Sequence, residues 1–239
     1  TPARGGTRPA APPPRPNLQA TMKPHENTPT EENRTPCDAD STAQALRDIK
    51  RSLRGMMNGI TSRSMRDKGL GYKVNFGVEL PRLLEFAATL PHDYALAARL
   101  WKEDIRECRL LAAMLMPAET YTAELADLWV EQMRYNEEAE CTVMYLFARL
   151  SCASAKAFEW VAREEKMFRL CGWLLMGRLL AGGAVPSERD EEELLDQLAA
   201  ELGGNDAAVA RAAAKALGRY MELGEPQERR GEELLQRLA

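Results

Sequence analysis

The chain has 239 residues, 45% apolar, 28% charged and 6% aromatic, with a formal net charge of −4. Its 16 glycines and 14 prolines are too few for a collagen-like or wholly low-complexity protein. A body of this size buries roughly 70–75% of its unfolded surface, so it needs neither disulfides nor a structural metal for stability, and its acidic sum argues against a polyanionic partner unless the charge is segregated.

Residues 1–37 hold nine of the prolines and almost no large apolar side chain. Such a segment cannot offset its ordering entropy by burial, so it is expected to be a disordered leader, with a single folded domain over 38–239. From Asp40 the pattern turns helical. Asp40 or Ser41 suits an N-cap, and Ala45, Ile49, Leu53 and Met56 or Met57 follow at helical spacing to about Gly59. Residues 61–77 read as a glycine-containing basic connection. Helices are then expected near 78–90, 93–101, 104–116, 119–134, 136–150, 154–163, 165–181, 188–202, 205–222 and 228–238. The third of these ends at Pro117, and Ser187 after Pro186 caps the acidic run 188–193. No stretch shows β-branched alternation, so the chain is all-α. Short helices turning over at this rate give pairs every 30–45 residues or so, the range of HEAT-like units. An α-solenoid of antiparallel pairs is expected, with a conventional globular bundle as the alternative.

The charge is segregated. Residues 51–73 carry six bases (Arg51, Arg54, Arg63, Arg66, Lys68, Lys73) and one acid, Asp67. Residues 111–150 carry two bases and seven acids, and 184–239 carry seven bases and thirteen acids. One basic face on an acidic body fits this distribution.

Several chemistries lack their residues. The two histidines, His25 and His92, belong to no metal-binding motif, and Cys37, Cys108, Cys141, Cys152 and Cys171 form no C-x-x-C pair, so no metal is expected. The last four read as reduced core thiols of a cytoplasmic protein. The glycines Gly69 and Gly71 lack the third glycine and preceding strand of a dinucleotide loop, and no phosphate-binding loop or nucleophile elbow occurs. No cofactor is expected. The longest apolar run, 170–181, is broken by Arg178, so no membrane span is expected, and no apolar signal-peptide core opens the chain.

Three stretches carry a resemblance: Tyr72-Lys73-Val74-Asn75-Phe76-Gly77-Val78-Glu79-Leu80-Pro81, then Leu100-Trp101-Lys102-Glu103-Asp104-Ile105-Arg106-Glu107-Cys108-Arg109-Leu110-Leu111-Ala112, then Phe158-Glu159-Trp160 ahead of Phe168-Arg169-Leu170-Cys171-Gly172. Their order and spacing over residues 41–225 resemble the DNA alkylation repair enzymes built of HEAT-like repeats, the alkylpurine DNA glycosylase family. The resemblance implies a C-shaped α-solenoid whose concave basic groove holds duplex DNA. It also implies excision of cationic N3- or N7-alkylated purines, with aromatic faces holding the base and a carboxylate stabilising charge on the sugar. Where the family has W-D-x-x-D, this chain reads Asn136-Glu137-Glu138-Ala139-Glu140. Where it has K-A-x-G-W-A-L-R, this chain reads Arg211 to Gly218, with Lys215 at the tryptophan.

The candidate residues follow. Glu140 is the candidate catalytic carboxylate, against one more solvated acid at a helix start. Arg63, Arg66, Lys68 and Lys73 are candidate phosphate contacts from the basic connection. Arg106 and Arg109 share a helical face, and Lys156, Arg163, Arg169 and Lys215 recur on later helices as a groove lining would; ion pairing on the helix surface is the alternative for each. Trp160 is the candidate groove aromatic, although all four tryptophans sit on apolar faces suited to core packing. Two readings remain open: a DNA-binding, alkylation-repair-type solenoid contacting duplex DNA phosphates, with or without excision by Glu140, and a non-enzymatic scaffold whose concave face takes a protein partner.

Overall fold

The computed structural model of the protein describes residues 36–238, with side chains from residue 40. The expected disordered leader therefore lies, apart from Pro36 and Cys37, outside the described residues. Twelve α-helices follow in order: α1 (Pro36–Gly55), α2 (Gly59–Asp67), α3 (Leu80–Ala87), α4 (Tyr94–Trp101), α5 (Arg106–Leu115), α6 (Ala123–Gln132), α7 (Asn136–Tyr145), α8 (Ala153–Val161), α9 (Lys166–Ala181), α10 (Glu188–Leu202), α11 (Ala207–Met221) and α12 (Glu225–Leu238). The described residues contain no strand, only an isolated bridge between Val74 and Ile105. No described helix is long and apolar enough to cross a membrane.

Most expected helices are present, with instructive differences. The first starts at Pro36, ahead of the expected cap. The helix expected over 136–150 stops at Tyr145, and a 3-10 turn at Phe147–Arg149 follows. Helix α2 falls inside the stretch read as a basic connection. Its nine residues lack an apolar stripe, and it is held from outside: the Asn58 side chain accepts from the Thr61 N–H at 3.2 Å, and the Ser62 hydroxyl donates to the Asn75 carbonyl at 2.7 Å.

The packing makes two layers. Helix α4 pairs with α5, α8 with α9, and α10 with α11. The second helices also pack on one another in sequence, α5 on α7, α7 on α9 and α9 on α11, whereas α4, α6, α8 and α10 approach one another less closely. Close approach in one layer is permitted by small residues; a Cβ placed on Gly177 of α9 would sit 3.6 Å from Ala216 of α11. In the other layer large rings bridge the gaps. Trp101 stacks on Trp129 at 4.0 Å, Tyr121 meets Trp129 edge-on at 5.3 Å, and Phe147 contacts Trp160 at 5.2 Å. A stack tighter on one side bends toward that side, so α5, α7, α9 and α11 line the concave face.

Polar ties repeat along the stack. Trp101 Nε1 donates to Gln132, Arg106 to Glu137, Arg109 to Glu138, Lys156 and Trp160 Nε1 to Asp127, and Trp173 Nε1 to Glu201. The partners lie 28 to 33 residues apart, which is one repeat. The polar period is clearer than any sequence repeat, because the same kind of tie is made by different residue types.

Residues 72–78 close the N-terminal end. Val74 N–H donates to the Asp104 carbonyl, Arg106 N–H to the Val74 carbonyl, and the N–H groups of Phe76 and Val78 donate to the two oxygens of Glu107, each at 3.1 Å. The strap in turn seats α2. Asn58 N–H donates to the Phe76 carbonyl at 2.8 Å. Gly77 has φ +72°, and a Cβ there would lie 2.3 Å from the Asn58 oxygen and 2.5 Å from the Ser62 nitrogen.

Two substitutions test this packing. Alanine at Gly172 would gain about 1 kcal/mol of helix propensity, but its Cβ would meet the Val161 nitrogen at 2.7 Å. Gly172→Ala is expected to lower stability by about 1–3 kcal/mol in chemical denaturation; a stabilised variant would show that the α8–α9 approach is not tight. Gly77→Ala is expected to unseat α2. Hydrogen exchange should then quicken across residues 58–78 while α9 and α11 keep their protection.

Candidate nucleic-acid interface

The side chains available to a polyanion are decided by burial and by internal partners. At the N-terminal cap, Arg54 closes α1, Arg63 and Arg66 lie on α2, and Lys68 and Lys73 follow it. All five are exposed, and their side chains form no ion pair or hydrogen bond with a described residue. Their neighbours differ: Arg51 pairs with Asp48 at 2.7 Å and Lys50 with Glu103 at 2.6 Å. The clasp under Gly77 makes this patch part of the rigid body rather than a mobile loop. Gly69 takes φ +95° in the turn after α2, and Val74 is fixed to Ile105 beyond it.

Four other candidate cations are engaged inside the stack. Arg106 is buried, with its guanidinium on Glu137 at 3.0 Å, on the Val78 carbonyl at 2.9 Å and beside Glu107. Arg109 is buried over the Trp101 ring at 3.9 Å, donating to Glu138 at 2.8 Å and to the carbonyls of Trp101 and Gln132. Lys156 holds Asp127 at 2.6 Å and Glu159 at 2.9 Å. Burial works against its charge, yet those hydrogen bonds outweigh it and raise its pKa. Arg169 lies 3.3 Å from Glu201, although its Nε–H makes no hydrogen bond. These groups tie one repeat to the next, and the donors of Arg106, Arg109 and Lys156 are occupied by the protein. Arg163, at the α8–α9 turn, pairs with Glu165 at 2.9 Å and lies over Phe168 at 4.4 Å.

Trp160 is fully buried, and its indole N–H donates to Asp127 at 2.7 Å. Trp101, Trp129 and Trp173 are buried as well, so every tryptophan of the chain packs inside and none presents a face to the groove. On α7 the exposed edge runs Asn136, Glu140, Met144 at four-residue spacing. Glu140 is exposed on the concave layer and has no hydrogen-bond or ion-pair partner among the described residues. Lys215 is exposed on α11, next to the residue that meets Gly177.

Sequence reading missed three groups. Arg54 is one more base of the 51–73 run, with no pattern of its own that sets it apart. Arg178 and Arg211 are exposed on α9 and α11 and join Lys215 on the concave layer. The interruption of the apolar run 170–181 by Arg178 was the available signal, because a lone cation in an apolar helix marks the turn that faces water. Acids gather elsewhere. Glu188, Asp190, Glu192, Glu193 and Asp196 are exposed on α10, in the convex layer. The single acid in the basic run, Asp67, is exposed at the end of α2.

The strap also carries a buried phenol. Tyr72 packs on Tyr135 at 4.4 Å, with Arg134 over its ring, and its hydroxyl has no hydrogen-bond partner. Burial, then the charges of Glu138 and Glu137, push its pKa far up, so the phenol stays neutral. Arg134 bonds to Asp104 and holds that carboxyl below its usual range. These contacts seal the strap against the N-terminal ends of α5 and α7.

Comparison with known proteins places this architecture. A solved structure described as "a new family of proteins related to the HEAT-like repeat DNA glycosylases with affinity for branched DNA structures" superposes with a TM-score of 0.73 over 81% of this chain and 83% of that one, at 14% identity. At that identity the likeness establishes the fold, a HEAT-like repeat stack. No curated protein matches the chain in sequence. A family model described as DNA alkylation repair enzyme matches residues 49–229, from the last turns of α1 into α12, so the chain belongs to the DNA alkylation repair enzyme family.

Proposed function

We propose that the protein binds DNA through the cations of its N-terminal cap and concave layer, favours branched structures, and does not release alkylated bases. The observation that carries this reading is the set of five exposed cations at Arg54, Arg63, Arg66, Lys68 and Lys73, unpaired among the described residues and held on a rigid cap in a chain of net charge −4. Unpaired cations gathered on one surface release counterions when they meet phosphates. Arg178, Arg211 and Lys215 extend the positive surface along the concave layer. The preference for branched DNA follows the affinity described for the structural neighbour.

Excision requires more than binding. A carboxylate must stabilise the sugar cation, and a surface must hold the cationic base. Glu140 supplies a carboxylate on the concave layer, but Asn136 and Lys215 stand where the resemblance places tryptophans, and all four tryptophans are buried. An asparagine offers no π-face, and a lysine repels a cationic purine. The geometry supports recognition of the polyanion without extraction of its damaged base.

The five cap contacts alone predict that log affinity falls against log salt with a slope of about −4 to −5, steeper where the concave-layer cations also engage. Arg66→Ala combined with Lys68→Ala is expected to flatten that slope by roughly two, with an unchanged melting temperature because both side chains are exposed. Undetectable binding at low ionic strength, with a stoichiometric protein partner recovered instead, would replace this reading by the scaffold one. Methylated DNA incubated with the protein is expected to yield no free alkylpurine. Release that Glu140→Gln abolishes would restore the enzymatic reading.

A further inference from the structure

The cap carries an exposed apolar tip among its cations. Ile60 is 85% exposed and Met57 60% exposed, and both stand at the corner between α1 and α2. Ile60 begins a line of helix neighbours at three-residue spacing, Ile60, Arg63, Arg66, on the exposed side of α2, while the buried Ser62 faces the strap. Arg54, in the last turn of α1, lies just ahead of Met57. The corner is not a loose loop. Asn58 caps α2 and donates its N–H to the Phe76 carbonyl, and Gly77 packs directly under both Asn58 and Ser62. A rigid apolar knob flanked by unpaired arginines has a definite complement: an open apolar face bordered by anions.

A branch point in DNA offers that surface. Where arms diverge, stacking is interrupted and the face of a terminal base pair is exposed between two phosphate backbones. A continuous duplex offers such a face only after unstacking, which costs energy for each step opened. Building on the DNA-binding reading above, we infer that the α1–α2 corner is the branch-recognising element. Ile60 and Met57 press on the open base-pair face, and Arg54, Arg63 and Arg66 hold the phosphates of the diverging arms. Because the apolar contact exists at the branch alone, it sets the preference for branched over linear DNA, while the arginines set affinity for both.

The test compares a three-arm junction with a linear duplex of matched length and composition, using the full chain at one fixed salt concentration and fluorescence anisotropy. The double variant Met57→Gln, Ile60→Gln is expected to bind the junction about tenfold more weakly and the duplex unchanged. Arg54→Ala with Arg63→Ala is expected to weaken both in proportion. A 2-aminopurine placed at the branch should change in fluorescence on binding the wild-type chain and not the double variant. Circular dichroism melts of both variants should match the wild type, since the altered side chains are exposed. A double variant that keeps the wild-type junction-to-duplex ratio overturns the inference and leaves DNA binding intact. Failure of the wild-type chain to bind either DNA overturns the DNA-binding reading itself. Binding to phosphatidylserine vesicles that the double variant loses, with the DNA ratio unchanged, would assign the tip to a membrane surface and also overturn the inference.

Discussion

The buried carboxylate of Glu107 is the contact on which the arrangement of this protein depends. It has no solvent exposure, and its two oxygens accept the N–H groups of Phe76 and Val78, with the Arg106 guanidinium beside it. A buried carboxylate is tolerated when its charge is compensated and its lone pairs are filled. Here the compensation comes from the N–H groups of the strap and from the Arg106 guanidinium of α5, which also reaches α7 through its pair with Glu137. Removing the carboxylate would leave the buried N–H groups of Phe76 and Val78 without acceptors, a loss on the order of 1–3 kcal/mol for each, while Arg106 keeps Glu137 and the Val78 carbonyl. The strap, and therefore α2 and its cations, is in place because that carboxylate is.

The same logic extends along the stack in a milder form. A repeat protein whose units share little sequence must still keep each unit in register with the next. Rings do this laterally, from Trp101 and Trp129 to Phe147 and Trp160. Polar ties do it directionally, since a hydrogen bond to Gln132, Asp127 or Glu201 specifies one position on the neighbouring helix where an apolar contact would tolerate sliding. The charged members of those ties resemble a groove lining when read as a list of bases. Their partners make them structural. The division between structural and available cations is a division between Arg106, Arg109 and Lys156 on one side and Arg63, Arg66, Lys68 and Lys73 on the other, and it follows burial rather than residue type.

This division also shapes the functional reading. A surface that binds a polyanion needs cations whose hydration is not already replaced by internal carboxylates. The cap provides them, and the acids of α10 sit in the opposite layer, where they do not cancel that field. Tryptophan would be the natural platform for a cationic base, but each indole of this chain fills a gap in the core, three of them with the N–H tied to a neighbouring repeat. This arrangement favours the proposed reading of recognition without base capture.

Much of the architecture was legible in the sequence. Helical periodicity placed α3 to α12, with the end of α7 overrun by five residues, Pro117 marked the end of α5, and Ser187 the start of α10, because caps and breakers act locally. The excess of bases over 51–73 and the family resemblance were equally plain, since composition and motif are properties of the string. Helix α2 was hidden, for its stability comes from Asn75, Phe76 and Gly77 rather than from its own pattern. The partners of Arg106, Arg109, Lys156 and Trp160 were hidden as well: they lie some 30 residues away, and no local rule states which carboxylate a buried donor will meet. The sequence by itself determined an all-helical chain with its positive charge concentrated near one end. Tertiary structure alone decided which of those charges face water, because desolvation and pairing depend on where the neighbouring repeats bring their side chains.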